Sequence, residues 1–92
     1  MIINIRHKGL KDLFETGSKK GVDASLAARM VRQLDALDVA RTPDDLRFPG
    51  WGLHQLRGER TGTWSVKVNG NWRITFTFNN GDVENVDLED YH

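Results

Sequence analysis

The stretch Trp64-Ser65-Val66-Lys67-Val68-Asn69-Gly70-Asn71-Trp72-Arg73-Ile74-Thr75-Phe76-Thr77-Phe78 decides the fold. Apolar and polar residues alternate on both sides of Asn69-Gly70-Asn71, the period of strands whose successive side chains point to opposite faces. Asn and Gly tolerate positive φ, so the middle reads as a hairpin turn between antiparallel strands. Trp72, Ile74, Phe76 and Phe78 form an apolar face, and Trp64, Val66 and Val68 repeat the pattern before the turn. Arg73 then points to the opposite face.

Working outward, Asn79-Asn80-Gly81-Asp82 is a second turn into a last strand from Val83 to about Leu88. Alternation in that strand is imperfect, which predicts a bulge. Upstream, Leu53 to Arg57 reads as a strand, with Gly58 to Gly62 as its loop and Pro49-Gly50-Trp51-Gly52 as the loop before it. Met1 to Ile5 reads as a further short strand.

Helices fill the first half. His7 to about Gly17 carries Leu10, Leu13 and Phe14 at helical spacing, with Gly17 as the stop. The clearest helix runs from Asp23 or Ser25 to Val39, with Leu26, Met30, Leu34 and Leu37 as a stripe that Ala27 and Val31 widen. Asp23 or Ser25 is suited to cap its first turn. Thr42-Pro43-Asp44-Asp45 reads as a cap followed by proline at the first helical position. Helices with one apolar stripe must bury it, and the face carrying Trp72, Ile74, Phe76 and Phe78 is the available surface. The expected architecture is therefore α+β, with N-terminal helices on one face of a mainly antiparallel sheet. The other face stays open and carries Arg73, Lys67, His54 and the C-terminal residues.

The 92 residues fit a single domain spanning 1–92, and 38% hydrophobic content places the chain among globular proteins. There is no cysteine, hence no disulfide framework or thiolate chemistry. No apolar run approaches a membrane span and no secretory leader pattern is visible, so a cytoplasmic location without membrane contact is expected. Net charge is zero, which speaks weakly against nucleic acid as a partner. The distribution is uneven, however. Arg41, Arg47, Arg57, Arg60, Lys67 and Arg73 make the middle basic, whereas Asp82, Glu84, Asp87, Glu89 and Asp90 make the end acidic.

Those residues supply the parts for metal-free RNA cleavage. RNA carries its own nucleophile, the 2′-hydroxyl. Cleavage needs a base for its proton, a cation for the phosphorane charge and an acid for the 5′-oxygen. His54 and His92 are the candidate proton carriers. Arg73 is the candidate charge clamp, because guanidinium binds phosphate bidentately and stays charged. Arg57, Arg60 and Lys67 are candidate RNA contacts, Asp90 can orient an imidazole, and Tyr91 and Trp51 can stack on bases. No metal-ligand spacing, phosphate-binding loop, dinucleotide fingerprint or serine-hydrolase elbow is present, so no metal and no cofactor are expected.

The chain resembles the HigB family, ribosome-dependent messenger-RNA endonuclease toxins within the wider RelE group. The resemblance spans essentially the whole sequence. It rests on His7-Lys8-Gly9-Leu10, Leu13-Phe14-Glu15, Leu53-His54-x-Leu56 and Gly58-x-Arg60-x-Gly62. It is strongest in Trp64-Ser65-x-x-Val68-x-x-Asn71-Trp72-Arg73-Ile74-x-Phe76 and in the closing Asp90-Tyr91-His92. It implies a RelE-like, microbial-ribonuclease-type fold and cutting of translated mRNA in the ribosomal A site, leaving a 2′,3′-cyclic phosphate. A cognate HigA-type helix-turn-helix antitoxin is implied as well, with operator DNA bound only through the toxin–antitoxin complex. By position, His54, Arg73, Asp90, Tyr91 and His92 match the family's active-site pattern. Arg57 stands where relatives often carry lysine, which keeps charge and changes geometry. Two other readings stay open: a ParE-like toxin that binds gyrase, and an inactive member that only binds antitoxin or operator.

Overall fold

A computed structural model describes residues 1–90, so the assignments made to Tyr91 and His92 lie outside the described residues. Two helices, α1 (Lys8–Thr16) and α2 (Ala27–Val39), pack on a four-stranded sheet. Its strands are β1 (His54–Gln55), β2 (Thr63–Lys67), β3 (Trp72–Asn79) and β4 (Asp82–Asp90), antiparallel throughout in the order β1-β2-β3-β4. The architecture is the expected α+β arrangement.

Local chemistry sets the helix ends. His7 caps α1, its Nδ1 accepting the Leu10 N–H at 3.0 Å. Asp23 opens a single 3-10 turn (Ala24–Leu26) that leads into α2, its Oδ1 accepting from Ser25 N–H at 2.9 Å. Thr42 and Asp45 form a reciprocal capping box around the 3-10 turn Pro43–Leu46. Gly9 of α1 lies against Gly21, and a Cβ built on Gly9 would stand 2.2 Å from the Gly21 carbonyl oxygen. Only glycine permits that backbone contact.

Leu10, Leu13, Ala27, Met30, Leu34 and Leu37 of the helices meet Val66, Ile74, Phe76, Val83 and Val86 of the sheet in one core. The stripe on α2 differs from expectation at one position. Val31 is exposed, and Gln33 takes a fully buried place instead, donating from Nε2 to the Lys67 carbonyl at 2.8 Å. Arg29 donates to the same carbonyl and to that of Gly50. A buried polar side chain is accommodated there because the end of β2 leaves a carbonyl unpaired by the ladder. Trp72 and Phe78, at the two ends of β3, are only half-buried, whereas Ile74 and Phe76 between them are fully enclosed.

The first strand is shorter than expected, two residues rather than the span Leu53 to Arg57, and a 3-10 turn (Gly58–Arg60) follows it. Met1 to Ile5 does not form a ladder strand. It runs beside β4 through isolated parallel bridges, Ile2 to Val83 and Ile5 to Val86, and so covers what would be an open sheet edge. The β2–β3 turn stands where the sequence predicts it, for a different reason. Neither asparagine there, nor Gly70, takes a positive φ. Instead Asn69 Oδ1 accepts from Asn71 N–H and Trp72 N–H, both at 2.8 Å, a side-chain-built turn. The β3–β4 turn does use positive φ, 53° at Asn80 and 84° at Gly81.

The predicted bulge falls at Asn85. Thr77 pairs with Glu84 and Thr75 with Asp87, so Asn85 and Val86 together oppose Phe76. Asn85 adopts a left-handed φ of 55°. That extra residue inverts the alternation downstream. Val86 and Leu88 turn to the helix side, and Asp87 and Glu89 turn to the open face.

Candidate functional site

The open face carries a polar cleft of about 440 Å³ lined by His54, Leu56, Arg57, Arg60, Ser65, Arg73, Thr75, Glu89 and Asp90. Register explains the convergence. His54 of β1 is the partner of Ser65 on β2, and Ser65 is the partner of Thr75 on β3. In the adjacent row Lys67, Arg73 and Glu89 are successive partners across β2, β3 and β4. Cross-strand partners on one face stand close enough to touch, so two rows of the sheet bring four strands' polar groups together.

Five of the residues singled out by sequence line one cleft: His54, Arg57, Arg73 and Asp90, together with Arg60. His54 is exposed and Arg73 half-buried. Asp90 also lines the cleft, at its rim where β4 ends, although its pairing with Trp72 sets it in the helix-side row of the strand. Arg60 lines the cleft too, but both its terminal nitrogens reach Glu89, at 2.8 and 2.7 Å, a bidentate ion pair. Lys67 is exposed beside Arg73 in the register and does not line this cleft. Trp51 packs against Phe48 with ring centroids 4.6 Å apart and is not among the cleft residues.

Glu89, Thr75 and Ser65 were not singled out by sequence. Glu89 accepts hydrogen bonds from Arg60 and from the Thr75 hydroxyl. The Arg60 hydrogen bonds hold the Glu89 carboxyl below its ordinary value of 4.5, with Thr75 and the charges of Arg60 and Arg6 adding to the effect and partial burial opposing it. Arg60 is correspondingly pushed up by Glu89. In sequence Glu89 is one acid of five in an acidic end. Only the bulge at Asn85 assigns it to the cleft face. The result is a cleft lined by both signs of charge, with the Arg60–Glu89 ion pair in its wall and Arg57 and Arg73 among the groups that line it with His54.

Among the described residues no cluster of three His, Cys, Asp or Glu side chains is placed to hold a metal ion. No helix among them is long and apolar enough to cross a membrane.

The HigB-like toxin family, described as RelE-like toxins of the type II toxin–antitoxin system HigB, matches residues 3–92. The chain is 47% identical over 92 residues to Endoribonuclease HigB of Proteus vulgaris, covering 100% of both chains. It is 29% identical over 91 residues to Toxin HigB-1 of Vibrio cholerae serotype O1 (strain ATCC 39315 / El Tor Inaba N16961), covering 97% of this chain and 96% of that one. With an α+β fold of two helices on an antiparallel sheet and a family match running almost end to end, the chain belongs to the HigB-like toxins of type II toxin–antitoxin systems.

Proposed function

We propose that this toxin is a metal-independent endoribonuclease that cuts translated mRNA in the ribosomal A site, using the open-face cleft as its active site. The observation that carries the reading is the convergence of His54, Arg57, Arg73 and Asp90 in one polar cleft. The name borne by the Proteus relative agrees with it.

The chemistry follows from the residue types. A proton carrier takes the 2′-hydroxyl proton as that oxygen attacks the adjacent phosphorus. Arg73 neutralises the charge that builds on the equatorial oxygens, a role suited to a group that cannot lose its proton. A second proton carrier protonates the departing 5′-oxygen, and the products end in a 2′,3′-cyclic phosphate and a free 5′-hydroxyl. His54 and His92 share the two proton roles, Asp90 orients an imidazole, and Tyr91 stacks on a base. Arg57 is a phosphate contact. Arg60 shapes the cleft wall through Glu89, and Lys67 adds charge along the approach of the strand. The protein works in the cytoplasm, where ribosomes and mRNA are, and is held inactive by a HigA-type helix-turn-helix antitoxin, which also carries it to operator DNA.

Reconstituted translation tests the reading. Cleavage of a defined mRNA is expected only when ribosomes translate it, and end analysis is expected to find 2′,3′-cyclic phosphates. Inhibition of DNA supercoiling with no RNA cut would instead favour a gyrase-binding toxin.

A further inference from the structure

Ser65 is fully buried and lines the cleft, yet its Oγ has no hydrogen-bond partner among the described residues. A buried hydroxyl left unpaired carries an uncompensated desolvation cost, and alanine would fill the same strand position without it. A strand residue in that position needs a reason to be serine.

Its neighbours narrow the reason. Along the row, Ser65 stands between His54 on β1 and Thr75 on β3. The Thr75 hydroxyl already donates its proton to Glu89. RNA cannot reach Oγ directly, because that atom is enclosed. His54 is the remaining partner in the row, and same-face partners in an antiparallel pair have Cβ atoms roughly 4.5–5.5 Å apart, within reach of a hydroxyl and an imidazole.

We propose that Ser65 is a positioning residue for His54. When RNA fills the cleft, the Ser65 hydroxyl accepts the N–H of one ring nitrogen and so fixes both the ring plane and the nitrogen that faces the substrate. This suits His54 in either proton role. As a base it presents the lone pair of its second nitrogen, and as an acid it presents the second N–H while Ser65 still accepts the first. The proposal rests on the cleft being the site of RNA cleavage.

The test is Ser65→Ala in a single-turnover cleavage assay with translating ribosomes, paired with thermal melting. Removal of an unpaired buried hydroxyl leaves the melting temperature unchanged or raises it, while cleavage slows by about tenfold or more, a share of what acid–base catalysis supplies. In a His54→Ala background the same change slows the residual rate no further. The isosteric pair Ser65→Thr and Ser65→Val controls for packing, with the threonine variant faster by a similar factor. Equal rates for wild type and Ser65→Ala, or an equal loss in both backgrounds, would overturn the positioning role and leave the nuclease reading standing. A wild-type protein that cuts no RNA under translation would sink both.

Discussion

Asn4 and Asn85, 81 positions apart, are joined by two hydrogen bonds: the Asn85 backbone N–H donates to Asn4 Oδ1 at 3.0 Å, and Asn4 Nδ2 donates to Asn85 Oδ1 at 3.4 Å. Asn85 Nδ2 also donates to Thr77 Oγ1 at 3.2 Å. The bulge in β4 is thereby tied to the N-terminal segment on one side and to β3 on the other. Because the bulge decides which of the last residues face the cleft, this pair governs the site from its edge.

Replacing Asn85 tests that link. Its φ of 55° suits asparagine or glycine and opposes a β-branched side chain. Asn85→Val is expected to cost about 1–2 kcal/mol more than Asn85→Gly, because the glycine variant loses the side-chain bonds without the backbone strain. Denaturant titration of the two variants measures the difference. Equal losses would mean that the left-handed backbone at Asn85 is not what holds the bulge.

The Gly9–Gly21 contact yields a second prediction. Alanine improves helix propensity in α1, but its Cβ would lie 2.2 Å from the Gly21 carbonyl oxygen, a backbone atom with no rotamer to yield. Overpacking outweighs the propensity gain, so Gly9→Ala is expected to destabilise by roughly 1–3 kcal/mol. A melting temperature at or above that of wild type would show the two segments free to separate.

Acid should weaken the fold through Glu89. Its carboxyl is held below 4.5 in the folded protein, so its stabilising contribution is present above that value and is lost as pH falls through the lower folded value. Asp23 and Asp45 are lowered as well, by bonds from Ser25 and from the Arg41 and Thr42 amides, and titrate in the same direction. Glu89→Gln is expected to reduce stability at neutral pH and to flatten part of the decline below about pH 4.5, as Glu89 no longer titrates. Melting temperatures measured from pH 3 to 7, on the order of one reading per half unit, check this. An unchanged slope would mean that Glu89 is no stronger an acid folded than unfolded.

Much of this was legible in the sequence because alternation speaks directly about faces. The run from Trp64 to Phe78 assigned Arg73 to the open side, and spacing placed Leu34 and Leu37 in the core. What was hidden depended on contacts distant in sequence. Glu89 reaches the cleft only through the bulge, and the bulge is held by Asn4, at the other end of the chain. Gln33 is buried because the Lys67 carbonyl awaits it, which no helical period can foretell. Likewise, Asn69-Gly70-Asn71 signalled a turn correctly, but its chemistry lies in the Asn69 side chain rather than in positive φ. Alternation sets Ser65 opposite Trp64 and Val66 and says nothing of its enclosure, which comes from packing.

The most direct test of the account is primer extension on a defined mRNA in a purified translation system, comparing wild type with Arg73→Ala at equal folded concentration. Wild type is expected to produce new 5′ ends that require ribosomes, and loss of the Arg73 charge is expected to lower the cleavage rate roughly 10²–10³-fold with melting temperature preserved. Cleavage by Arg73→Ala at the wild-type rate would contradict the assignment of the open-face cleft as the place where RNA is cut.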